Sequence, residues 1–197
     1  MVDLMSLGTC PLDGIWTSGH SGPGDKTGLT IERTTPNSLA QLSLFPKCEV
    51  KALTKLKKKG VKEFPLDGMS LLQGDVGILS LGAGRYLLES NKLDLCAKLH
   101  KAIPANIGSV TDLSSARTVF TISGSDAETV LLKGIAIDFA IEAFPIGKVA
   151  QTTAHHLNLT VVRDDAEQFR IFAFSTFARS AFEWLHTCAL PHGVEKI

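Results

Sequence analysis

The chain carries no net charge. Its 20 lysines and arginines balance 20 aspartates and glutamates, so no long-range field draws it toward nucleic acid or an anionic membrane, and either partner would need a local patch. Cysteine is sparse as well. Cys10, Cys48, Cys96 and Cys188 are widely scattered with no Cys-x-x-Cys pair, which excludes the dense disulfide framework of small secreted domains and points to reduced thiols. Nowhere is there an uninterrupted apolar stretch of about 18 residues, the length a membrane-spanning helix needs. The first residues lack a basic region followed by an apolar run, so the expectation is a cytoplasmic protein with no membrane partner. Asn158-Leu159-Thr160 matches a glycosylation sequon, but it falls inside a strand pattern and reads as chance.

Motifs that carry chemistry are equally scarce. Gly22-Pro23-Gly24-Asp25-Lys26-Thr27 ends like a phosphate-binding loop, but Asp25 sits where that loop has glycine and its carboxylate would repel phosphate. Gly82-Ala83-Gly84 has two glycines of a dinucleotide fingerprint, yet Leu87 stands where the third belongs and a strand follows. His155 and His156 are neighbours in an expected strand, where adjacent side chains leave opposite faces and cannot chelate one ion; one is expected at the surface and the other packed. His186 and Cys188 lie two apart on an expected helix, about 200° around it. No Gly-x-Ser-x-Gly elbow is present, and the acids single out no general acid and base. The expectation is therefore no catalytic, cofactor-binding or metal-binding residue in this chain.

With 197 residues and 44% apolar content, the chain can bury a sizeable core. Residues 1–37 are rich in Gly, Ser, Thr and Pro with little periodicity and read as an extended arm, docked because Leu12, Ile15, Trp16 and Leu29 are costly to leave in water. Residues 38–197 read as one α+β domain, with 38–110 and 111–197 as candidate related halves. Seven lysines between Lys47 and Lys62, with little arginine or stacking aromatic among them, read as a solvated face or a contact for an acidic protein surface, not as a nucleic-acid site.

From Asp75 the pattern becomes regular. Strands are expected at 76–81, 85–88, 148–155, 157–163 and 168–174, with Leu157, Leu159 and Val161 on one buried face. A helix capped by Asn91 carries Leu95, Cys96, Leu99, Ala102 and Ile103 and stops before Pro104. A last helix starts near Ser175 with Phe177, Ala181, Trp184, Leu185 and Cys188 as its apolar stripe. Hairpins recur and the connections are too short for repeated parallel crossovers, so the sheet should be mainly antiparallel with helices packed on one face.

The segment from Asp112 to Glu128 carries the most information. Asp112-Leu113-Ser114-Ser115-Ala116-Arg117 feeds the β-rich run Thr118 to Ile122, Gly124 breaks it, and Ser125 with Glu128 has the spacing of a capping box before Val130 and Leu131. Together with Ala143-Phe144-Pro145-Ile146-Gly147-Lys148-Val149-Ala150-Gln151-Thr152 and the closing Phe182-Glu183-Trp184-Leu185, it resembles the gamma subunit of heterotetrameric sarcosine oxidase, a distant relative of the folate-binding aminomethyltransferase fold. The resemblance runs from about Gly77 onward.

It implies a non-catalytic structural subunit whose partners are alpha, beta and delta subunits. FAD, FMN, NAD, zinc and tetrahydrofolate would be held by those other chains, which demethylate sarcosine to glycine and release hydrogen peroxide. Related N-methyl amino acid dehydrogenase complexes and a free-standing, degenerate folate-binding protein are the alternatives. In the transferases an acidic pair opens the strand matching Leu157 to Arg163, where this chain has Leu157 and Asn158; the resemblance thus implies a kept fold and lost chemistry. It also marks Asp112 and Arg117 as residues that could touch an anionic or pterin-like ligand, an ion pair or intersubunit contact being the favoured reading. Trp16 and Trp184 complete the candidate interface residues.

Overall fold

A computed structural model describes residues 11–24 and 26–197. Cys10 and Asp25, named above, lie outside them. In chain order the strands are β1 (Gly19–Ser21), β2 (Leu29–Arg33), β3 (Ser38–Leu44), β4 (Ser70–Gln73), β5 (Val76–Gly82), β6 (Arg85–Ser90), β7 (Gly108–Asp112), β8 (Arg117–Ser123), β9 (Val149–Ala154), β10 (Leu157–Asp165), β11 (Gln168–Phe174) and β12 (Val194–Lys196). The helices are α1 (Glu49–Leu56), α2 (Leu95–Ala102), α3 (Ala127–Leu132) and α4 (Ala178–Ala189).

Among the described residues these strands form two sheets, one of seven strands ordered β1-β12-β2-β8-β11-β10-β9 and one of five ordered β4-β5-β6-β3-β7. The ladders are antiparallel except where β12 runs parallel to β2. The expected α+β architecture, mainly antiparallel, is the one observed, with helices on one face of each sheet.

The period-two geometry of a strand sorts each sheet's side chains into two layers. Outward from the seven-stranded sheet, Phe120, Ile122, Leu159, Phe169 and Ile171 meet Val130 and Leu131 of α3 and Ala181 and Leu185 of α4. Outward from the five-stranded sheet, Leu42, Ile78, Tyr86 and Leu88 meet Leu56 of α1 and Leu95 and Leu99 of α2. Between the sheets, Leu39, Leu79 and Leu87 face Val119, Val149, Val162 and Phe172. Strands covered on both sides explain the near-continuous apolar runs at 76–79 and 86–88.

Several expectations change. The extended arm of residues 1–37 is, over its described part, a piece of the domain: β2 pairs with β8 through Ile31 and Ile122, β12 flanks it, and Leu12, Leu29 and Ile31 are fully buried. No local pattern announces a five-residue strand whose partners lie some ninety and more than one hundred and sixty positions away. The lysine stretch, for which no helix was expected, forms α1, whose Ala52 and Leu56 are buried while Lys51, Lys55 and Lys57 to Lys59 stay exposed.

The capping box is not made. Asp126 takes the N-cap position of α3 without a side-chain cap bond, and Asp94, not Asn91, occupies that of α2. Gly124 does break β8: its φ is +132°, and a Cβ there would lie 2.5 Å from the Gly28 carbonyl oxygen. The α4 stripe is rotated from expectation, with Ala178, Ala181, Phe182, Leu185 and Ala189 buried and Phe177 exposed. In β10 both faces are covered from Thr160 to Arg163, because the second sheet lies over the side expected to be open.

Candidate functional site

The inter-sheet contact does not cover all of the seven-stranded sheet. Gln151 Nε2 donates to the Leu81 carbonyl at 2.8 Å and ties β9 to the end of β5. Beyond that tie the inner face of β8, β11, β10 and β9 opens into a trough of about 380 Å³, lined by Arg117, Gln151, Thr153, Asn158, Thr160 and Phe174 among others. Register places these side chains together. Arg117 pairs with Phe174 across β8 and β11, and Asn158 pairs with Thr153 across β10 and β9.

Arg117 dominates the trough. Its guanidinium carbon lies 3.5 Å from the centre of the Phe174 ring, a close cation–π contact. Burial pulls its pKa below the ordinary value, yet an arginine stays charged throughout the range in which proteins fold. No carboxylate pairs with it among the described residues. The rest of the lining is hydroxyl, amide and apolar, so no group in the trough takes up a proton at neutral pH.

Asp112, expected near Arg117, is elsewhere. It ends β7 in the other sheet, where its Oδ1 accepts bonds from Ser114 N at 2.9 Å and Ser114 Oγ at 2.6 Å. Those bonds hold its carboxyl below the usual range. The four-residue link 113–116 carries the chain from one sheet to the other and separates the two residues.

Trp16, half-buried against the outer core, meets the Phe182 ring at a tilt with centroids 4.9 Å apart and stacks on Phe120 at 6.3 Å. Trp184 is half-buried over Gly134, so close that a Cβ there would lie 2.5 Å from Nε1, and it meets His155 edge-on. His155 and His156 lie in the β9–β10 turn, not in a strand, and both are exposed. His155 takes a φ of +52° there. The three described cysteines, Cys48, Cys96 and Cys188, are free thiols.

Sequence reasoning missed two arginines on the same sheet. Arg163 is 2% exposed; its Nη1 donates to the carbonyls of Phe139 and Phe144 at 2.9 and 2.8 Å, and its Nη2 to Glu128 Oε2 at 3.1 Å. Arg170 binds both oxygens of Asp164, at 2.5 and 3.0 Å, and reaches across to Glu89 of β6 at 2.5 Å. Burial depresses the Arg170 pKa, but the hydrogen bond and charge of Asp164 with the charge of Glu89 outweigh it and raise it overall. Asp164, expected as a turn residue, lies in β10 and holds Arg170 from the same sheet, while Arg170 and Glu89 make the bond between the sheets. An arginine inside one apolar strand run, at 170, and another closing the run before it, at 163, were the available signal.

No protein-family model matches the sequence. The chain is 28% identical over 109 residues to the sarcosine oxidase gamma subunit of Corynebacterium sp. strain P-1, a stretch covering 55% of this chain and 54% of that one. It is also 28% identical over 116 residues to the gamma subunit of strain U-96, covering 57% of each. The chain thus matches about half the length of these curated relatives.

In three dimensions, 93% of it superposes on 95% of a chain in the heterotetrameric sarcosine oxidase from Corynebacterium sp. U-96 in complex with pyrrole 2-carboxylate, with a TM-score of 0.78 and 21% identity. The chain shares the fold of that subunit. A second superposition covers 87% of this chain and 48% of the glycine cleavage system aminomethyltransferase T from Bartonella henselae, with a TM-score of 0.61 and 16% identity. The same fold is therefore about half of the larger transferase chain. At the head of β10, where the resemblance located an acidic pair, Leu157 is buried in the outer core and Asn158 stands exposed in the trough.

Proposed function

We propose that this chain is the non-catalytic gamma subunit of a heterotetrameric, flavin-dependent sarcosine oxidase, working in the cytoplasm beside alpha, beta and delta chains. Its sequence similarity to two sarcosine oxidase gamma subunits carries the reading. The chemistry at the head of β10 supports it: Leu157 and Asn158 can neither accept a proton nor stabilise a developing cation as carboxylates would. Arg117, Trp16, Trp184 and Asp112 are the candidate contacts to other chains. In this reading FAD, FMN, NAD, zinc and tetrahydrofolate belong to the partners, which oxidise sarcosine to glycine, reduce oxygen to hydrogen peroxide and pass on the one-carbon unit. No helix among the described residues is long and apolar enough to cross a membrane.

Coexpression of the chain with the flavoprotein encoded nearest to it tests this. The expected outcome is a stable complex that forms hydrogen peroxide from sarcosine, while the isolated chain is inert. Turnover of a methylated amine by the isolated chain, or its failure to join any flavoprotein, overturns the proposal. The trough's cation keeps a second reading in play, a degenerate folate-binding protein acting alone, which predicts stoichiometric reduced-folate binding by a monodisperse chain.

A further inference from the structure

Three arginines of the seven-stranded sheet lie over phenylalanine rings, and only two have a carboxylate among the described residues. Arg163 lies 4.7 Å from the centre of Phe169 and pairs with Glu128; Arg170 lies 5.4 Å from that of Phe172 and pairs with Asp164 and Glu89. Arg117 lies closest of the three, at 3.5 Å, and is partly desolvated. Where a carboxylate would complete the pattern, Arg117 has an open trough whose nearest polar neighbours are neutral. One of them, the Gln151 amide, already donates to the second sheet.

We propose that this trough receives an acidic side chain of a partner subunit, with Arg117 as the anchor. The inference rests on the subunit reading. A guanidinium packed against a ring and without a carboxylate of its own keeps its fork of N–H donors for one, and that fork binds a carboxylate through two parallel bonds. A polypeptide fits better than a free small acid. A lone carboxylate gains one ion pair against the whole loss of its translational freedom. A chain brings, beside the acid, apolar surface for Phe174, which lines the trough and is 37% exposed. Arginine with aromatics is the composition of interface anchors.

The test uses the full chain and its flavoprotein partner. Affinity of the purified chain for its flavoprotein partner is measured over a range of salt for the wild type, Arg117→Ala, Arg117→Lys and Asn158→Asp, with circular dichroism to verify folding. Asn158→Asp keeps Arg117 and supplies a carboxylate inside the trough, so it competes with the partner's acid. Both Arg117→Ala and Asn158→Asp are expected to weaken assembly by about tenfold or more and to flatten its salt dependence, with Arg117→Lys between them and the wild type. Asn158→Asp should also raise the melting temperature of the isolated chain.

Variants that fold and assemble like the wild type overturn the docking site and leave the subunit reading standing. A wild-type chain that finds no partner overturns both. Saturable binding of acetate, glutarate or a reduced folate to the isolated chain, abolished by Arg117→Ala while assembly is unchanged, assigns the trough to a small molecule and overturns the docking site.

Discussion

Arg163 shows why a buried charge survives in an apolar strand. Its side chain is 3% exposed and satisfies two carbonyls of the 138–147 connection, at Phe139 and Phe144, besides Glu128 of α3. It therefore pins a long loop and a short helix to β10 at one point. Removing it strands two buried acceptors, a larger penalty than loss of the ion pair, since Glu128 is 40% exposed and can turn to water. Arg163→Met should lower unfolding stability by about 2–4 kcal/mol in urea titration, and Glu128→Gln by about 1 kcal/mol, because the amide still offers an acceptor. The reverse ranking would mean the ion pair, not the loop, is what Arg163 maintains.

At the scale of elements, the helices are held by their packing and not by side-chain caps. α1, α2, α3 and α4 all lack a side-chain cap bond, and none exceeds 12 residues, a length that is marginal for an isolated helix in water. The spacing of Ser125 and Glu128 fits a capping box, but Glu128 is drawn to Arg163 and Ser125 is left exposed. Ser125→Ala should therefore change the melting temperature negligibly, by less than about 0.5 kcal/mol equivalent, where loss of a working N-cap costs about 1 kcal/mol. Strands with their own alternation or turn chemistry, such as β5, β6, β8 and β11, were legible within a residue or two. β1, β2 and β12 were not, because three to five residues hold too little pattern to stand above loop sequence, and their pairing is decided by distant strands.

At the scale of the whole molecule, the two sheets share one inner layer and the Arg170 clamp. Phe172 is fully buried in that layer between Val119 and Val162 on one side and Leu39, Leu79 and Leu87 on the other. Phe172→Ala should cost about 3–5 kcal/mol and shift the unfolding of both sheets together, followed by hydrogen exchange at Leu79 and Ile171. Loss of protection in one sheet alone would show that they unfold separately.

The sequence by itself determined the α+β class, the hairpins around β5–β6 and β9–β11, and the absence of an acid at the head of β10, because these rest on local periodicity and residue chemistry. Only the tertiary structure decided that the first described segment completes the sheet, that Asp112 and Arg117 part company, and that Arg117 faces an open trough. Those outcomes depend on which strands become neighbours and where one sheet stops covering the other, and contacts between residues far apart in the chain leave no mark in the spacing of either.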